Sequence, residues 1–195
     1  MKSNLPESEI TSSRRRVLGG IAAFMGTTVA PWAVGAAAAA PAEAWKKLSE
    51  RTSVVDGAAS ARHVVYAIID PNCIWCHRFW KASRPWVDSG KVQVRYLLVG
   101  IIRGDSARKA ATILSAPDPV AALEQNERNY ANGGIFPSAA LSPAIQATLE
   151  SNRKLMLDLG LRGTPALVSR NKEGAVETVA GYPKEEVLAI VMGDR

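Results

Sequence analysis

The sequence is short of the side chains that most often carry chemistry. Its 195 residues include two cysteines, two histidines and only 6% aromatic residues. With only His63 and His77, and no second cysteine pair, a metal site of ordinary ligand spacing is not expected. No lysine/arginine block with interleaved aromatics follows the first forty residues, which argues against nucleic acid as a partner. No internal repeat is visible, and the length suits one ordinary domain rather than two. The front end also lacks the ~20 strongly apolar residues of a membrane-spanning helix. Its weakly apolar run at 17–30 is interrupted by Gly19, Gly20, Gly26, Thr27 and Thr28.

What the front end does have is Ser13-Arg14-Arg15-Arg16, then that run, then small residues from Ala36 onward. A basic start, a modest apolar stretch and A-x-A cleavage sites make residues 1–42 an export signal, cleaved between Ala36 and Ala42. The arginine pair behind Ser13 fits the twin-arginine type. The alternative is an anchor that stays attached. Removing 1–42 takes away Lys2, Arg14, Arg15 and Arg16 against Glu7 and Glu9, so the net charge falls from +6 to +4. A periplasmic, oxidising destination makes a disulfide an expected state for the two cysteines.

Residues 43–62 read as a lead-in helix around Trp45 and Leu48, followed by a linker. The segment from His63 to Ile69 is a continuous, β-branched apolar run, the mark of a buried strand. Asp70-Pro71-Asn72 breaks it, and a helix is expected from Cys73 to Asp88. Pro85 should kink or break that helix. Val92 to Val99 is a second strand. Residues 104–160 read as a helical block, with Ser142-Pro143 as an N-cap and first-turn pair and Gly160 as a stop. Ala166 to Ser169 and Ala175 to Ala180 form a hairpin about the turn Asn171-Lys172-Glu173-Gly174. A last helix begins at Pro183 and buries Val187, Leu188, Ile190 and Val191. The order β-α-β, helical block, β-β-α predicts an α/β thioredoxin fold. The helical insertion (about 104–160) separates its two halves within residues 63–195.

The two cysteines form Cys73-Ile74-Trp75-Cys76, between the first strand and its helix. A thiol attacks a disulfide as thiolate. Free N–H groups and the dipole at a helix start favour that form at Cys73. The expected division of labour makes Cys73 the nucleophile and Cys76 the resolving thiol. Ile74 and Trp75 tune the pair and face the substrate. His77 and Arg78 are expected on the helix surface with no proton-transfer role. Other readings of the same run are a structural disulfide in a redox-inactive binding module and covalent haem. Cys73-Ile74-Trp75-Cys76-His77 is also C-x-x-C-H, with Met156 or Met192 as axial candidate. The absence of a haem absorption band would dispose of the last. Thr164-Pro165, after Gly163, is compatible with either a cis bond or an ordinary strand-initiating trans proline. In a thioredoxin fold this loop lies against the C-x-x-C, where the Thr164 backbone can pair with an extended substrate segment.

With these pieces placed, the chain resembles the DsbC/DsbG family of periplasmic thiol:disulfide interchange proteins, the DsbG catalytic domain more closely. The resemblance runs over about residues 62–195. It is carried by Asp70-Pro71-Asn72-Cys73-Ile74-Trp75-Cys76-His77-Arg78-Phe79-Trp80, Arg84-Pro85-Trp86-Val87-Asp88-Ser89-Gly90-Lys91-Val92, Leu97-Leu98-Val99-Gly100, Asn152-Arg153-Lys154-Leu155-Met156, Thr164-Pro165-Ala166 and Val191-Met192-Gly193-Asp194. It implies a cis Thr164–Pro165 bond and no cofactor beyond a redox-active Cys73–Cys76 disulfide. It also implies unfolded or misoxidised extracytoplasmic proteins as substrates, and a membrane electron donor of the DsbD type. The Ile74-Trp75 dipeptide departs from relatives that usually carry Tyr second. The stretch between signal and first strand is too short for the family's N-terminal dimerisation domain, so a monomer is expected.

Overall fold

The computed structural model describes residues 41–137 and 140–194. The expected export signal lies outside the described residues except for its last two positions, which begin helix α1 (Pro41–Ser49). No helix among the described residues is long and apolar enough to cross a membrane.

Residues 43–62 differ from the expected lead-in and linker, because they also contribute a strand, β1 (Val54–Asp56). It pairs antiparallel with β3 (Val92–Leu98), setting Val54 opposite Tyr96. Three residues are too few for a period-2 pattern to stand out. What holds β1 is tertiary: Val54 is buried, and Asp56 meets Arg84 at 2.7 Å.

β2 (His63–Ile69) is the centre of the sheet. It pairs in parallel with β3 and antiparallel with β4 (Ala166–Arg170), and β5 (Val176–Ala180) closes the order β1-β3-β2-β4-β5. With a neighbour on each side and helices over both faces, β2 can be apolar throughout. Val65, Ala67 and Ile69 pack with Phe79 of α2 (Ile74–Asp88) and with Ile113 and Leu123 of the insertion. On the other face Tyr66 and Ile68 pack with Leu48 of α1 and with Leu155 and Met156. The insertion consists of α3 (Ser106–Leu114), α4 (Pro119–Arg128), a 3-10 turn at Tyr130–Asn132 and α5 (Pro143–Asp158). Ser142 caps α5 as the sequence predicts, accepting from Ile145 N at 3.3 Å, and Asp118 caps α4, accepting from Ala121 N at 3.0 Å. Gly160, at φ +77°, ends α5.

Two expectations need correction. Pro85 does not break α2, which runs unbroken to Asp88. Pro85 sits in the last turn, where its missing N–H leaves only the carbonyl of exposed Lys81 for water to satisfy. In the last helix, α6 (Glu185–Val191), Leu188 and Val191 are buried, but Val187 and Ile190 are exposed. A run of apolar residues around one helix cannot all face one side.

Candidate active site

β2 ends at Ile69, and after the three residues Asp70-Pro71-Asn72 Cys73 sits at the N-cap of α2 in extended geometry. The Cys73 N–H donates to Asp70 O at 3.0 Å. Its Sγ accepts from Cys76 N at 3.2 Å and donates to Thr164 O at 3.3 Å. Both cysteines are thiols here. Cys73 is 5% exposed and Cys76 1%. The Thr164–Pro165 bond is cis. The Thr164 hydroxyl is buried without a hydrogen-bond partner. It lies close enough to favour the thiolate form of either sulfur.

The two thiols are driven apart electrostatically. Cys73 is held down at about 6, first by a hydrogen bond from the Cys76 thiol. The Thr164 side chain and the Cys76 and Trp75 N–H groups add to this, against the opposing cost of burial. Cys76 is pushed far up, first by burial and then by the Cys73 thiolate beside it. The helix-start N–H groups expected to favour a thiolate at Cys73 do contribute, but the partner thiol contributes more.

Ile74 and Trp75 are 42% and 47% exposed. Trp75 stacks on Tyr182 with centroids 6.1 Å apart, and the Arg78 guanidinium lies 4.5 Å from its ring. Tyr182 is held there because the adjacent Gly181 N–H donates to Pro165 O at 2.8 Å. The expected substrate-facing residues Ile74, Trp75, Thr164 and Pro165 thus adjoin Cys73.

His77 is not simply on the helix surface. Its Nδ1 lies 3.1 Å from Glu127 Oε2, and its ring stacks on Tyr130 at 4.7 Å. Burial first, then Lys81 and Arg78, hold the imidazole below its ordinary value. Glu127 is 1% exposed and pushed up to about 8, by burial first and also by the Cys73 charge, against an opposing hydrogen bond from Asn126.

Behind the thiols lies a buried polar network that the sequence reading missed. The Asp70 carboxylate accepts from Asn72 N at 2.9 Å, Ile101 N at 2.6 Å, Ile102 N at 3.0 Å and Ser106 Oγ at 2.8 Å. Asn72 Nδ2 donates to Asp105 and Ser106, both at 2.9 Å. Lys109 Nζ donates to Asn72 Oδ1 and to Gly133 O, both at 2.7 Å. A signal for two of these was present. Lys109 shares the spacing of Ser106, Ala110 and Ile113, and Glu127 that of Leu123 and Tyr130, so each lies on the apolar side of its own helix.

The residues fit haem attachment poorly. Cys76 belongs to the core on the α2 face, Met156 packs on the opposite face of the sheet, and His77 is engaged with Glu127. Among the described residues no group of three or more His, Cys, Asp or Glu could hold a metal ion.

The family model of the thioredoxin-like domain matches residues 52–195. The chain is 40% identical over 153 residues to the thiol:disulfide interchange protein DsbG of Pseudomonas aeruginosa, covering 78% of this chain and 60% of that protein. It is 39% identical over 153 residues to the DsbG of Escherichia coli (strain K12), covering 78% and 62%. The chain therefore spans about 60% of the length of these curated relatives. Among solved structures, the catalytic domain of Proteus mirabilis ScsC is similar with a TM-score of 0.65 at 23% identity, covering 78% of this chain and 94% of that one. That likeness concerns the fold.

Proposed function

The chain belongs to the thioredoxin-like family, and from that premise we propose that it is an extracytoplasmic thiol:disulfide oxidoreductase of the DsbG type. The observation that carries this reading is the asymmetry of the two thiols. Cys73, 5% exposed and hydrogen-bonded to the Thr164 carbonyl, is held low enough to ionise, and Cys76 behind it is kept protonated.

The chemistry follows from that asymmetry. The Cys73 thiolate attacks a substrate disulfide. A Cys73–substrate S–S bond forms, the substrate's own S–S bond breaks, and the departing thiolate takes up a proton. Cys73 Sγ is now neutral, so the thiolate charge that adds to burial in keeping Cys76 protonated is gone. Cys76 loses its proton and attacks Cys73 Sγ, releasing the second substrate sulfur. The enzyme gives up two electrons and the one proton of Cys76, the substrate's other proton coming from solvent, and holds a Cys73–Cys76 disulfide. For isomerisation, a third substrate thiol attacks the mixed disulfide before Cys76 does, and no net electrons move. The Thr164 backbone, beside Cys73, is placed to pair with an extended substrate segment, and Ile74 and Trp75 offer it apolar area.

In this reading the substrates are unfolded or misoxidised proteins outside the cytoplasm. The site needs no cofactor, and a membrane dithiol donor of the DsbD type restores it. The proposed working unit is a monomer, to be checked by sedimentation. The direct test is Cys76→Ala. Without the resolving thiol, substrates should accumulate as mixed disulfides on Cys73, resolved by reducing against non-reducing gels. No accumulation in the compartment where the protein resides would sink the catalytic reading.

A further inference from the structure

Beside the thiol pair, on the insertion side, lies a cavity of about 270 Å³ lined by Pro71, Asn72, Arg103, Tyr130, Ala131 and Gly133. Its wall at Asn72 is the residue immediately before the nucleophile. The polar groups on that wall are already engaged. The Tyr130 hydroxyl donates to Asn72 O at 3.0 Å. The Asn72 side chain serves Asp105, Ser106 and Lys109, and the Gly133 carbonyl accepts from Lys109. Pro71 and Ala131 present hydrocarbon. What remains is the Arg103 guanidinium. It is exposed, and among the described residues it has no ion-pair partner. Asp105, the nearest acid in sequence, pairs with Lys109 at 3.1 Å instead.

The backbone of Arg103 is also tied to the loop that carries the nucleophile. Its N–H donates to Ser106 Oγ at 3.0 Å, and that hydroxyl donates to Asp70. The two residues before it donate their N–H groups to the same carboxylate. A free cation on a backbone anchored beside a nucleophile, over a wall with no free hydrogen-bonding side chain, suits an anionic group on whatever the nucleophile attacks.

We propose that this cavity takes an acidic side chain close to the reacting cysteine of a protein substrate, with Arg103 as the residue that selects it. This deepens the oxidoreductase reading and rests on it. Ile101 and Ile102, 41% and 49% exposed beside Arg103, give the same segment apolar contact.

The test uses two peptides that differ only in the residues flanking one serine, which stands in for the cysteine: Asp in one, Lys in the other. Each is titrated into the isotope-labelled full chain and followed by amide chemical shifts. The Asp peptide should bind about three- to fivefold tighter, with a gap that narrows as salt is added. The moving amides should be those of Arg103 and of 130–133. Arg103→Glu should reverse the order of the two peptides, and Arg103→Lys should keep it. Equal affinities, or an Asp preference that survives Arg103→Glu, would overturn the proposal. So would acetate alone binding as tightly as the Asp peptide, since the cavity would then read an isolated anion. Turnover of the same peptides carrying a disulfide tests the oxidoreductase reading separately. A protein that discriminates between the peptides but exchanges no disulfide would lose that reading on different evidence.

Discussion

The two flanks of Cys73 are built on opposite principles. Towards β4 and β5 the thiol meets Thr164, with Trp75 and Tyr182 stacked on each other nearby, a thin flank held by ring stacking and few hydrogen bonds. Towards β3 and the insertion it is backed by Asp70, Asn72, Lys109 and Glu127, all buried. Buried polar groups cost free energy unless their partners are complete, so such a network fixes geometry tightly or fails as a whole. The exposed flank can change with little effect on folding. The difference assigns positioning of the thiol to one side and contact with partners to the other.

The comparison can be broken most decisively at Asp70. Asp70→Ala strips the acceptor from three N–H groups and one hydroxyl, and should cost on the order of 3–5 kcal/mol by chemical denaturation. A loss no larger than that of a surface substitution would mean that the insertion flank does not position the loop.

Glu127 should give the next largest effect, and one that depends on pH. Its folded value of about 8 lies above its ordinary 4.5. The stability that comes with burying the protonated acid is complete below about 4.5 and is lost as pH rises through about 8. Glu127→Gln should therefore be more stable than the parent at alkaline pH, by about 1–2 kcal/mol, with the gap closing in acid. Parallel stability curves across that window would refute the assignment.

Cys76→Ala sharpens the comparison at the sulfur itself. The Cys76 thiol is the largest influence holding Cys73 down, so its removal should move the Cys73 thiolate absorbance midpoint up from about 6. In the parent, the stabilisation from this depressed value is full above about 9 and is lost as pH falls through about 6, and the variant should lose part of it. An unmoved midpoint would place the control in the helix-start N–H groups instead.

The smallest effect on folding should come from Trp75→Ala. About half-exposed, Trp75 should change stability by no more than about 0.5–1 kcal/mol. Its removal should nonetheless slow exchange with an unfolded protein severalfold while sparing exchange with a small disulfide. Equal slowing of both would move Trp75 from partner contact to tuning of the thiol.

The same contrast separates what was legible in the chain from what was not. β2, α2 and β3 stand out because apolar runs are punctuated by Asp70-Pro71-Asn72 and Ser89-Gly90, and α5 because Ser142-Pro143 and Gly160 mark its ends. Part of the exposed flank follows from local sequence, since Ile74 and Trp75 lie between the cysteines, whereas Tyr182 reaches it only through the pairing of Gly181 with Pro165. The buried flank unites Asp70 and Asn72 with Lys109 and Glu127 from far along the chain, and charged residues in helices ordinarily face water. β1 escaped notice because pairing with β3, rather than its own three residues, makes it a strand.

The Asp70 carboxylate has a consequence for motion. The amide of Asn72 and those of Ile101 and Ile102 belong to two separate loops, yet all three donate to this one side chain. None can be released to solvent by fraying of a strand end alone. In hydrogen-exchange experiments they should open as one unit, with a common free energy and a common response to pH, although some thirty residues of chain lie between them. The loop that presents the nucleophile and the loop that carries Arg103 would then share a single breathing mode.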